Sequence, residues 1–100
     1  MEYEPDRWVI IEGVWFDGKP TRRVLAGWSG GYLHGDEWRM SSGIINITEY
    51  DDRYEIDNHS GSHYICYKNR RGLTSLSAAA LKSYQEKYPE LKLTIVENQN

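Results

Sequence analysis

The residues best able to do chemistry gather in one run of the chain. His59 and His63 stand four apart, Cys66 follows, and Lys68, Arg70 and Arg71 close the run. On a helix, two imidazoles at this spacing would share a face and could grip a metal. Ser60-Gly61-Ser62 lies between them, however, and that is turn sequence. Their meeting therefore depends on loop geometry. Asp57, Cys66 and His34 are the further ligands within reach of such a site, but no spacing matches a compact zinc signature. No metal and no cofactor is expected. A thiolate at Cys66 would need His63 as its base. Three apart on a strand, the two point to opposite faces, and Cys66 reads as a small core residue.

A second chemistry uses charge. His63 can exchange a proton near neutral pH, and Arg70 or Arg71 can stabilise developing negative charge, which is the minimum for a small enzyme acting on a phosphate-containing substrate. The same bases suit RNA or nucleotide binding, with Lys68, Arg70 and Arg71 on the backbone and Tyr67 stacked on a base. Gly27-Trp28-Ser29-Gly30-Gly31 lacks the Lys-Ser/Thr of a phosphate loop. The doublet Asp51-Asp52 reads as a solvated turn. Asp36-Glu37 is different, because it sits between a glycine-rich stretch and Trp38-Arg39. Acids beside an aromatic ring in an irregular segment suit a positively charged protein surface, and aromatic residues ringed by polar groups are common binding anchors. Asp36, Glu37, Trp38, Arg39 and Trp28 are therefore the candidate partner-binding set.

These residues must be positioned by short strands and one helix. Residues 1–7 are polar and expected to fray. The β-branched and aromatic run from Trp8 to Phe16 predicts a strand, with Gly13 marking a bulge or a close backbone approach. Asp17-Gly18-Lys19-Pro20 is a turn, and Thr21 to Trp28 returns as the second arm of a hairpin. Residues 32–40 show no period beyond a short strand at Trp38–Met40. Ile44 to Tyr50, Arg53 to Asp57 and His63 to Tyr67 then form a meander. Thr74 or Ser75 caps a helix ending near Tyr88, with Pro89 as its stop. Leu91 to Val96 is a last strand, and the strand–helix–strand order permits a right-handed parallel crossover.

At Asn58-His59-Ser60-Gly61-Ser62-His63-Tyr64 the chain resembles the asparagine, any residue, serine-glycine-histidine-tyrosine signature of uncharacterised bacterial and phage-associated effector proteins. Leu33-His34-Gly35 and Met40-Ser41-Ser42-Gly43-Ile44 are similar to its upstream part. Ser62 separates Gly61 from His63 where the signature joins them, and Ile65-Cys66 stands where it has proline. The resemblance implies a mobile-element or effector-associated module spanning roughly residues 31–96, with His63 as its histidine. It implies no particular reaction.

Composition bounds the rest. One hundred residues with 39% apolar and 13% aromatic content suit one domain, 8–96, with a polar tail at 97–100. Residues 31–60 carry seven acids and two bases, while residues 61–100 carry three acids and six bases; the net charge of −3 gives no general pull on nucleic acid. A lone cysteine, an opening without a leader pattern and the lack of any run near the roughly 18 apolar residues of a membrane span predict a cytoplasmic protein. The expected fold is α+β: a curved, mostly antiparallel sheet of about five strands with the helix on one face. Leu76, Ala79, Ala80, Leu81 and Tyr84 would pack on Ile10, Val24, Ile45, Ile47, Ile56, Ile65, Leu93 and Ile95. Open sheet edges, protected in part by Arg53 and Lys92, make a homodimer the expected assembly. The expected function is a small binding or inhibitory protein acting on a host or bacterial protein and encoded by a phage or related element. The alternative is the His63 and Arg70/Arg71 enzyme.

Overall fold

The computed structural model describes residues 1–15, 17–30 and 35–97. Among these residues the fold is α+β, but with eight strands in two sheets rather than about five in one. The first hairpin forms as its sequence dictates. Strand β2 (Arg7–Val14) pairs antiparallel with β3 (Pro20–Ser29). Gly18 takes a positive φ of 79° in the turn, and Lys19 N–H donates to Asp17 Oδ1 at 3.0 Å. Phe16 and the segment 31–34, with its candidate His34, lie outside the described residues. Strand β4 (Asp36–Met40) adds to β3, and β8 (Thr94–Val96) to the far side of β2.

This β4-β3-β2-β8 sheet is the middle layer. Trp8, Ile10, Val24 and Ala26 are buried on one face, and Val9, Ile11 and Leu25 on the other. A strand buried on both faces reads as a continuous apolar run, which is what Trp8-Val9-Ile10-Ile11 is. Against the first face packs the second sheet, ordered β1-β7-β6-β5. It comprises β1 (Glu2–Tyr3), β5 (Ile44–Glu49), β6 (Arg53–Asn58) and β7 (His63–Tyr67). Ile56, Tyr64 and Cys66 point inward to Trp8 and Ile10. Against the other face lies helix α1 (Ser75–Lys87), with Leu81 joined by Leu91, Leu93 and Trp15.

Local devices lock these layers. Thr74 caps α1 through a reciprocal pair: Ser77 N–H donates to Thr74 Oγ1 at 3.0 Å, and Thr74 N–H donates to Ser77 Oγ at 2.9 Å. The cap sits against Gly27, where an added Cβ would fall 2.6 Å from Thr74 Oγ1. Gly13 marks a close approach and no bulge, since its register to Thr21 is regular and a Cβ there would meet Leu93 and, at 2.9 Å, the Leu91 carbonyl.

Several expectations are corrected. Residues 1–7 hold a strand, because Glu2 and Tyr3 pair in parallel with His63 and Tyr64, and Pro5 is buried. The helix turns a different face to the core: Ser77 and Leu81 are buried, whereas Leu76 and Ala79 are exposed, because docking of the cap on Gly27 sets its phase. Ile45 is 65% exposed, pushed out by a register shift between Ile44 and Asn46. Ile65 is only half-buried, on the face opposite Tyr64 and Cys66. The last strand pairs antiparallel with β2, in the sheet that does not contain β7, so the parallel crossover does not occur. No helix among the described residues is long and apolar enough to cross a membrane.

Candidate functional site

The outward face of β6 and β7 collects the polar half of their alternation. Asp57 pairs across from His63, and Glu55 lies two residues along. His63 Nδ1 is 2.7 Å from Asp57 Oδ1, and Nε2 is 3.1 Å from Glu55 Oε1. A ring with an oxygen acceptor at each nitrogen is best served by the doubly protonated imidazolium, which donates twice. The hydrogen bond to Asp57 raises the His63 pKa, burial works against it, and the bond to Glu55 adds to the rise. Correspondingly, Arg53 and His63 lower the Glu55 pKa, and His63 and Asn46 lower that of Asp57. Arg53 extends the chain, with Nε donating to Glu55 and Nη1 to Asp52, each at 2.8 Å.

The other candidates for chemistry do not join His63. Cys66 is buried on the opposite face, as three-residue spacing on a strand requires, and burial pushes its thiol pKa up. His59 lies exposed in the turn, with its backbone N–H donating to Gly43. No group of three or more His, Cys, Asp or Glu suited to a metal occurs among the described residues.

The basic run is dispersed as well. Lys68 pairs with Glu49 at 2.6 Å and covers the Tyr54 ring. Arg70 lies over Tyr67, 5.2 Å from the ring centroid. Arg71 turns toward β8, where Nη2 donates to the Val96 carbonyl at 2.8 Å. Arg70 and Arg71 follow the far end of β7, about 13 Å of strand away from His63. The structure thus separates the histidine from both arginines and sends the three bases to three different partners.

Three of the five partner-binding candidates do converge. Trp28 pairs with Glu37 across β3 and β4, and Arg39 projects from the same face of β4 as Glu37. Together with Glu2, Tyr3 and Glu4 they line an open hollow of about 480 Å³. Its floor is aromatic: Tyr3 stacks on Tyr64 with ring centroids 4.9 Å apart and meets Trp28 at 6.1 Å, tilted 60°. Burial pushes the Tyr64 pKa up to about 12, so that ring stays neutral. Trp28 Nε1–H donates to the Glu4 carbonyl at 3.0 Å, which fixes the indole against the incoming chain. Arg39 Nη1 donates to the Tyr3 hydroxyl at 2.9 Å, and its guanidinium carbon lies 4.8 Å from the Tyr3 ring centroid.

Trp38 and Asp36 belong to the other face of β4, by strand alternation. Trp38 packs edge-on against Tyr84 of α1, apart from the hollow. Glu2, Tyr3 and Glu4 went unrecognised in the sequence, because a two-residue strand has no period to detect. Only the aromatic ring of Tyr3 amid acids marked that segment.

The hollow can hold a ligand by ring contact and charge. No protein-family model, curated protein or solved structure matches this chain.

Proposed function

We propose that the chain is a small binding or inhibitory protein that engages a bacterial protein through the Tyr3–Trp28–Glu37–Arg39 hollow. The observation that carries this reading is the convergence itself: an aromatic floor with carboxylates and a guanidinium at its sides, open to solvent. Rigid aromatic rings supply contact area at little cost in conformational entropy, and charged residues around them give selectivity. The setting inside bacteria and the link to a phage or related element rest on the resemblance around residues 58–67.

Affinity capture from bacterial lysate tests the reading. The wild-type chain should enrich a reproducible protein, and a Glu4→Ala/Glu37→Ala variant should lose it. Both side chains are exposed, so that variant keeps its core. Equal enrichment by both chains, or no reproducible enrichment at physiological salt, would overturn the proposal.

A further inference from the structure

We infer that the hollow recognises a lysine or arginine side chain of its protein partner, and that Arg39 is the molecule's own occupant of the position this cation takes. The inference rests on the binding reading above and goes further, to the chemistry of the recognised group.

Charge supplies the first argument. Glu2, Glu4 and Glu37 line the hollow together with Met1 and the Arg39 guanidinium. None of these three carboxylates forms an ion pair or a side-chain hydrogen bond among the described residues, in contrast to Glu12, Glu49, Asp52, Glu55 and Asp57. An acidic partner segment would meet three like charges there. A basic one would find counter-charges without breaking any ion pair.

The second argument is independent of the acids. The floor already holds a cation: the Arg39 guanidinium sits over the Tyr3 ring and bonds its hydroxyl. An aromatic face 4.8 Å from a guanidinium is an electrostatically favourable seat for positive charge. Trp28, tilted against Tyr3, supplies a second wall to the same corner. Arg39 occupies this seat from an exposed edge strand and through a neutral hydroxyl and a ring alone. An incoming side chain can therefore displace it, and the freed guanidinium remains in water. The arrangement makes Arg39 a competitor for its own site.

The test uses the full chain and capped tripeptides of glycine flanking arginine, lysine, citrulline or glutamate, with the Trp28 indole N–H signal followed by NMR. Citrulline matches arginine in shape without its charge. The arginine and lysine peptides should shift the Trp28 signal saturably, and the citrulline and glutamate peptides should not. Glu37→Gln should weaken binding and Arg39→Gln should strengthen it, each by about two- to fivefold, the scale of one exposed cation–ring contact. Glu4→Gln serves as a second exposed variant, and amide dispersion reports that each chain is folded. Binding of the citrulline peptide equal to that of arginine, stronger binding of the glutamate peptide, or weaker binding on Arg39→Gln would overturn the inference. A captured partner that needs Glu4 and Glu37 but docks an acidic or uncharged segment would also overturn it, while leaving the binding reading intact.

Discussion

The outer face of β6–β7 and the hollow beside β1 use similar side chains and treat charge in opposite ways. On the outer face every named charge has a partner: His63 lies between Asp57 and Glu55, and Arg53 lies between Glu55 and Asp52. The set is closed, and an incoming ligand would have to break an existing bond to enter it. In the hollow, Glu2, Glu4 and Glu37 hold no such partner among the described residues, and Arg39 is held by a tyrosine instead of a carboxylate. A histidine beside two acids draws attention in a sequence, yet here it serves the sheet. A loose set of acids around aromatic rings draws less attention and is better placed to bind.

The largest effect is expected where the two regions share a residue. Tyr64 is 1% exposed, stacks beneath Tyr3 of the hollow and follows His63 on β7. Tyr64→Ala should cost about 3–5 kcal/mol, as for other large aromatic truncations, and disable both regions together. Urea unfolding monitored by circular dichroism reads this directly; a loss within the range of surface substitutions would show that the stack is not part of the core.

Next in size is His63→Ala, which leaves Asp57 and Glu55 facing each other without the imidazolium. A loss of about 1 kcal/mol is expected, small because the network is part-exposed. Its pH dependence sharpens the comparison. The folded-state pKa of His63 is raised above 6.5, so its contribution is fully present below that value and fades as pH rises through the folded pKa. Asp57 and Glu55 have folded pKa values lowered from 3.8 and 4.5, so their contribution is present above those values and fades on acidification. Wild-type stability should therefore decline from mildly acidic to alkaline pH, and His63→Ala should flatten that decline. Unfolding curves across the range check the sign; an unchanged slope in the variant would remove His63 from the network.

The smallest effect on folding belongs to the hollow. Glu37→Ala should leave stability within about 0.5 kcal/mol of wild type, because an exposed carboxylate without a partner holds nothing together. A clear destabilisation would mean that the hollow, like the outer face, is a structural charge set.

Much of this architecture was legible where one local rule sufficed. Asp17-Gly18 announced the first turn, the meander of β5, β6 and β7 followed from its apolar runs and turns, and Thr74 with Pro89 bounded the helix. What failed was whatever depended on contact between distant segments. Two short sheets look like one long meander in sequence, because alternation reports a face and not which layer covers it. The phase of α1 depends on Gly27 admitting Thr74, a contact across 47 positions that no helical period encodes. The candidate site was half legible for the same reason. Trp28, Glu37 and Arg39 carried a compositional signal, whereas Tyr3 joins them only through a two-residue parallel pairing with β7. Alternation along β4 assigns Trp38 to the opposite face, but only once Asp36–Met40 is known to be a strand.

The central claim is that the hollow binds and the charged outer face supports the fold. It is tested most directly by measuring partner retention and unfolding free energy side by side in Glu4→Ala/Glu37→Ala and in His63→Ala. The account predicts that the hollow variant loses the partner at wild-type stability, and that the His63 variant keeps the partner while losing stability. Retention of the partner by the hollow variant, with loss of it in a still-folded His63→Ala chain, would contradict the account and move the binding site to the outer face of β6–β7.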